Sequence, residues 1–444
     1  MGDKLLIRAF DVGLGDCIYC RIPQAHESGR DFHILIDCGS LSASKLLSQA
    51  MERLKPCLPQ IDGKRRIDLL VVTHEHKDHM TGFGLKIWDD FSFGAIWMSA
   101  AMDLDHPESQ RAAKLHSLAT KAMERALALN LALSPPLREL ANAMALNKDA
   151  MATLRATLPK ASNITPVYVH AASTEAELSL PIREASLSIL GPEKDIDHYY
   201  LGKPGDPSLR STMALVDSGT MDAAALVPAP DDVPLPANLD PADFRKLRSR
   251  MVSSALAFAD LDGKVCNNTS VVLLIEWRSK RLLFVGDAEW DQGYRQDRPN
   301  CSWNVMWNRQ GKHLNAPLAF LKIGHHGSVN ATPWRMPDTD AGEPAAILDA
   351  ILPVAAKDGA KAVVSTRRGN YETIPRTDLL AELGKRVANA RNYANDFKTA
   401  GLKTSDVPMF EHYESAVFGQ PQPRRTDLEG MLGSPGYVDV EIEA

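Results

Sequence analysis

Three histidines and an aspartate, His74, His76, Asp78 and His79, fall within six positions of the segment T-H-E-H-K-D-H. Neutral imidazole nitrogen and carboxylate oxygen together suit a borderline divalent cation. His74 and His76 are two apart, so on extended chain they face one side and can grip a single ion. If the chain then turns into a helix, Asp78 and His79 swing toward a second ion beside the first. At this spacing the segment reads as a metal motif rather than as a solvated loop.

Two further segments offer the same chemistry. Asp287 closes the apolar run L-L-F-V-G-D-A at 282–288, and a carboxylate at the mouth of a buried strand can bridge two cations or position a water between them. His325 and His326 stand together in L-A-F-L-K-I-G-H-H-G-S at 318–328. An adjacent pair between glycines at a strand end suits one ligand plus one proton donor. Asp37, in I-L-I-D-C-G, is a candidate acceptor for the far ring nitrogen of a ligand histidine. Asn267 and Asn268, in N-N-T-S, and Ser328 could line the site. Weaker candidates are His198, Asp11 and Asp16, while Trp290, Trp303 and Trp307 read as core. Cys17 and Cys20 form a C-x-x-C, but in a strand residues three apart point to opposite faces, so packed thiols are expected.

The elements that must position these groups are mostly strands. Leu5–Phe10 runs into the glycine turn D-V-G-L-G-D, and Cys17–Ile22 and Phe32–Ile36 follow as an antiparallel pair. Ser42–Leu54 has helical spacing, with Ser40 or Ser42 available as N-cap. I-D-L-L-V-V at 67–72 is the nearly continuous apolar run of a strand covered on both faces. Further strands are expected at 186–190, 270–276, 281–285, 318–323 and 361–365, a helix at 377–390, and an edge strand at 437–442. Residues 107–160 are rich in Ala and Leu at spacings of three and four, a run of amphipathic helices. The expected organisation is therefore a core in two halves, 1–103 and 181–406, with a helical insertion at 104–180 able to form a cap or lid. An irregular insertion at about 200–262 carries a helix near 241–258, and 407–444 form a C-terminal tail.

Composition sets outer limits. With 444 residues, 44% hydrophobic and 24% charged, the chain is an ordinary globular sequence long enough for two domains or one elaborated domain. A net charge of −6 gives no overall bias toward nucleic acid or anionic membrane. Six scattered cysteines exclude a disulfide scaffold. The start enters a strand pattern with no leader-like stretch, and no apolar run approaches the roughly 20 residues that span a bilayer. A cytoplasmic setting without membrane contact is expected. A nucleophile elbow, a P-loop and a dinucleotide-binding glycine fingerprint are missing, which removes several enzyme classes.

Taken together, these segments resemble the metallo-β-lactamase superfamily, and within it the hydrolase domain of ComEC-type DNA-uptake proteins. The matching pieces, in order, are F-D-V-G-L-G-D at 10–16, I-L-I-D-C-G at 34–39, L-L-V-V-T-H-E-H-K-D-H at 69–79, N-N-T-S-V-V-L-L at 267–274, L-L-F-V-G-D-A at 282–288 and L-K-I-G-H-H-G-S at 321–328. The resemblance implies an α/β fold, the αββα sandwich of that superfamily, with a dinuclear site at one edge of its two sheets. It assigns His74 and His76 to the first metal and Asp78 and His79 to the second. Asp287 bridges them, and one of the tandem histidines, His325 in the first instance, completes the second site. Asp78 and His326 would then stand nearest the chemistry, His326 protonating a leaving group or contacting a phosphate oxygen. Two departures stand out. Where many members carry another histidine before the G-D aspartate, this chain has C-N-N-T-S, and at 370–376 it has N-Y-E-T-I-P-R in place of a G-H-P-like element.

The function expected on this basis is that of a hydrolase holding two divalent ions, zinc first and manganese second, and attacking through a metal-bridging hydroxide. A phosphodiester is the favoured substrate, in nucleic acid or a nucleotide-like molecule, making the protein a phosphodiesterase or nuclease. Arg367, in S-T-R-R, is a candidate phosphate contact. The alternatives are a small ester, thioester or lactone substrate, since one fold hosts many reactions, or a regulatory protein that keeps only the metal site.

Overall fold

The computed structural model describes residues 4–41, 44–128, 147–203, 205, 207–218, 257–334, 343–366, 374–403, 426–427 and 436–444. The chain is a mixed α/β protein with two β-sheets. Its strands are β1 (Lys4–Phe10), β2 (Ile18–Ile22), β3 (Phe32–Ile36), β4 (Gln60–Ile61), β5 (Lys64–Val72), β6 (Phe91–Ser99) and β7 (Val167–Val169). They continue with β8 (Ala185–Gly191), β9 (Val272–Trp277), β10 (Lys280–Phe284), β11 (Phe320–Ile323), β12 (Lys361–Ser365), β13 (Thr426–Asp427) and β14 (Tyr437–Glu443). The first sheet runs β14-β1-β2-β3-β5-β6-β7, with β4 beside β5; the second runs β13-β12-β11-β10-β9-β8.

The apolar runs explain the layering. Successive strand residues face opposite ways, and here each face meets a core. In β9, Leu273, Ile275 and Trp277 enter a core shared with Ile34, Ile36, Leu69 and Val71 of the first sheet. Val272 and Leu274 face the other way, against Trp303 and Met306 of the helix Ser302–Leu314. On the first sheet, Leu35, Leu70 and Val72 face Leu47, Met51 and Leu54 of the helix Ser44–Leu54. The two sheets thus enclose one core, and helices cover the outer face of each.

Parallel pairing gathers the site. β3, β5, β6 and β7 are mutually parallel in order, as are β10, β11 and β12. Asp37, the 73–79 segment, Asp287 and the tandem histidines all lie just beyond the carboxyl ends of these strands, the place where parallel sheets present binding groups.

Several expectations change. The insertion does contain the helices Gln110–Ala128, Lys148–Ala152 and Leu158–Ser162, but the sheet resumes within it as β7. Of the irregular stretch, a helix Pro207–Asp217 and another at 257–268 are described, while 241–256 lie outside the described residues. The helix expected over 377–390 stops at Leu383. There Gly384 packs so closely on the returning chain that a Cβ would sit 2.5 Å from the Arg391 carbonyl oxygen. The end of the tail is no appendage, because β14 pairs along the whole of β1. The Ser40 hydroxyl donates to the Val12 carbonyl, and Ser42, the other cap candidate, lies outside the described residues. Cys20 enters the core between the sheets and Cys17 the outer one, and both are free thiols. Among the described residues no helix is long and apolar enough to cross a membrane.

Ile275, fully buried between the sheets, tests this arrangement. Ile275→Ala should cost about 2–5 kcal/mol of stability by chemical denaturation. A cost below about 1 kcal/mol would place that side chain outside a packed core.

Candidate metal centre

β5 delivers the motif and the neighbouring loops fix it. Beyond Val72, the Thr73 amide and hydroxyl donate to the two Asp37 carboxylate oxygens, each at 2.7 Å. A single helical turn, Lys77–Met80, starts after His76 and rotates Asp78 and His79 away from His74 and His76. Its backbone is held from the side, where the Asp16 amide donates to the Asp78 carbonyl and the Cys38 amide to the His79 carbonyl. The approach is tight at Gly39, where a Cβ would lie 2.2 Å from the Asp78 carbonyl carbon and the His79 nitrogen. The glycine of I-L-I-D-C-G is a steric requirement of the motif beside it.

The side chains form two donor groups that share one residue. His74, His76 and Asp287 make the first; Asp78, His79, Asp287 and His326 make the second, with the donor atoms of each group within 4.8 Å of one another. Asp287 Oδ2 is 3.8 Å from His74 Nε2, and Asp287 Oδ1 is 3.2 Å from His79 Nε2. His326 Nε2 is 2.9 Å from Asp78 Oδ2. His74 Nε2, His76 Nε2, Asp78 Oδ1 and His79 Nε2 are buried, with no hydrogen-bond partner among the described residues. Buried polar groups are rarely left so, and imidazole nitrogen with carboxylate oxygen is the donor set of zinc or manganese. These residues could hold divalent metal ions.

Outer contacts aim the rings. His79 Nδ1 bonds Asp37 Oδ2 at 2.8 Å, which turns Nε2 toward Asp287. His74 Nδ1 lies 3.1 Å from the Thr73 hydroxyl and 3.2 Å from that of Ser270. His326 Nδ1 donates to the Ser365 carbonyl at 2.7 Å, which aims Nε2 at Asp78. Burial, then the neighbouring imidazoles, hold His74 well below the usual range, and burial lowers His76 too, so both are neutral ligands. Burial opposes charge on His79, but Asp287, Asp37 and Asp78 outweigh it and raise its pKa well above the ordinary value. Burial would lift Asp287, yet His79 and His325 overcome it and hold the carboxyl well below the carboxylate range.

The tandem histidines trade places relative to expectation. His326, not His325, joins the donor group. Both residues have positive φ, 40° and 52°, and the turn leaves the His326 side chain 2% exposed and that of His325 32% exposed. The His325 amide donates to Asp287 Oδ1, and its ring nitrogen Nδ1 stands 3.5 Å from Glu289 Oε1. Burial disfavours its charge, but Asp287 and Glu289 raise its pKa to about 9.

The other candidates are placed as follows. Asn267 and Asn268 line no donor group; their amides donate to the two Glu289 oxygens. Ser328 bonds Asn330, and His198 packs edge-on against Tyr199. Arg367 lies outside the described residues. Asp11 accepts from the Gly13 amide, a turn contact. Asp16 pairs at 2.9 Å with Lys322, and both side chains are 2% exposed. Of the N-N-T-S segment expected to line the site, Ser270 does so, its hydroxyl 3.2 Å from His74 Nδ1; sequence reading missed Glu289 and Lys322. Only Lys322 carried a signal, as the one charge in an otherwise apolar strand. No protein-family model matches the chain, and comparison with curated proteins gives no match.

Two outcomes follow for metal binding. Asp37→Asn should lower metal affinity about 10–100-fold, the usual effect of losing the carboxylate behind a ligand histidine, as read by calorimetric titration. Near neutral pH the ion-free His79 holds a proton that a ligating nitrogen must release. Metal affinity should therefore rise with pH, with proton release visible as a buffer-dependent binding enthalpy. An affinity that is flat or falls from pH 6 to 8 would remove His79 from the ligand set.

Proposed function

We propose that this chain is a dinuclear metal-dependent hydrolase of the metallo-β-lactamase superfamily, similar to the hydrolase domain of ComEC-type proteins, and that it cleaves phosphodiesters. The observation that carries the reading is Asp287 shared between two buried donor groups, in which His74 Nε2, His76 Nε2 and His79 Nε2 have no hydrogen-bond partner among the described residues. The order of the sequence segments and their position at parallel strand ends support it.

When bound, the two ions supply positive charge at the attacking and leaving oxygens of the reaction. The chain's own residues do the rest. His74, His76, Asp78, His79, Asp287 and His326 hold the ions. His325 stands beside Asp287, partly exposed and cationic near neutral pH, so it can bind a phosphate oxygen or pass a proton to a leaving group. Glu289, itself held by Asn267 and Asn268, places its carboxylate 3.5 Å from that ring's Nδ1. These positions reverse the roles first assigned to the tandem pair. A cationic hand beside a metal pair suits a phosphodiester better than an uncharged ester.

The test is hydrolysis of bis-p-nitrophenyl phosphate by protein loaded with zinc or manganese. His76→Ala and Asp287→Ala should lose bound metal and activity together. His325→Ala should keep the metal and lose about 10²–10⁴ in kcat. Single-stranded DNA, RNA and cyclic nucleotides then define substrate length. Metal-loaded wild type that is inert toward phosphodiesters, esters and nucleic acids would falsify the enzymatic reading.

A further inference from the structure

A second cluster of ligating side chains lies beside the first, where the inserted helices meet the core. The helix Gln110–Ala128 contributes His116, and the helix at 257–268 contributes Asp262 and Cys266. The last two are four residues apart, so they share one helix face. His116 Nδ1 is 2.9 Å from Asp262 Oδ2 and 3.7 Å from Cys266 Sγ. Asp262 and Cys266 are buried, while the His116 side chain is 33% exposed and lines a cavity with Glu75, Arg155 and Thr269.

The far side of the ring is also occupied. His116 Nε2 lies 3.0 Å from Glu75 Oε1. A ligating histidine commonly gives its other ring nitrogen to a carboxylate, which fixes the tautomer and aims the free nitrogen at the metal. Zinc takes sulfur at about 2.3 Å and imidazole nitrogen at about 2.0 Å, so the two ligands sit about 3.5 Å apart around a tetrahedral ion. The observed separation needs only a small adjustment. A histidine bridging two carboxylates needs no thiol, and it is Cys266 that turns an ion-pair cluster into an N, O, S donor set.

We propose that His116, Asp262 and Cys266 bind a third divalent cation of the zinc class, with its fourth position open to the cavity. Binding forms one bond each to imidazole nitrogen, carboxylate oxygen and thiolate sulfur. The thiol proton and any proton on Nδ1 pass to solvent, and nothing is oxidised or reduced. The ion ties the inserted helix to the core. Through Glu75, which lies between His74 and His76, it also buttresses the motif of the dinuclear centre.

Cobalt(II) titration of the full chain separates this site from the other. The dinuclear donor groups contain only nitrogen and oxygen, so a thiolate-to-cobalt charge-transfer band in the near ultraviolet reports the third site alone. The band is expected in wild type and in His76→Ala. It should vanish in Cys266→Ala, which should bind one cobalt fewer per chain, and Asp262→Asn should move its midpoint to higher cobalt. Melting in chelator verifies that the variants fold. Cobalt uptake without the band, or a Cys266→Ala variant that keeps both band and full complement, overturns the site. The band appearing in a protein that binds only one cobalt would support this site and count against the dinuclear reading.

Discussion

Where the two sheets meet at their parallel strand ends, ring nitrogens and carboxylate oxygens are packed together out of water with too few hydrogens to go round. Each buried polar atom left unpaired costs roughly 1–3 kcal/mol, and four such atoms converge here. Lys322 pairs with Asp16 behind the motif, and His79, whose pKa the surrounding carboxylates raise, sits among Asp37, Asp78 and Asp287. Removing one partner of such a pair leaves an uncompensated buried charge. The loops around the site can be understood as what holds this unfavourable arrangement together, in a shape that positive charge from outside would relieve.

That constraint explains why the supporting residues are small or backbone-bonded. Gly39 lets one loop touch the Asp78–His79 peptide, and Asp37 spends both its oxygens on Thr73 and His79. A ring that could rotate would find a hydrogen bond and leave the site. His74 and His79, fixed through Nδ1, cannot, so their Nε2 atoms stay aimed at the Asp287 carboxylate.

The legible part of this protein was the part whose chemistry is local. His74 to His79 could be read because the candidate ligands lie within six residues, and β5 and β9 because a strand buried on both faces carries a nearly continuous apolar run. The rest depends on long-range geometry. Which of His325 and His326 turns inward is settled by positive φ at both, a turn preference that ordinary side chains do not announce. Glu289 reads as a turn acid until Asn267 and Asn268 arrive from another element. The pairing of β14 with β1 joins residues more than 400 apart and could be expected only as an edge strand without a partner. Gly384 ends its helix because of what packs against it, a fact invisible in a helical periodicity.

The segment 265–270 shows how one short stretch can serve three neighbours. Cys266 faces His116 in the insertion, Asn267 and Asn268 hold Glu289 and through it His325, and the Ser270 hydroxyl meets both His74 Nδ1 and the Asp287 amide. Here its side chains orient groups already at the site, one from each of the elements that converge there. The segment leaves the helix just before β9 begins, so its residues are fixed at both ends by packed structure. These positioning groups keep the centre ordered, and the first donor group has three protein residues. Coordination space on that side is then available to whatever enters from outside, and Glu75 connects the same side to the inserted helix through His116.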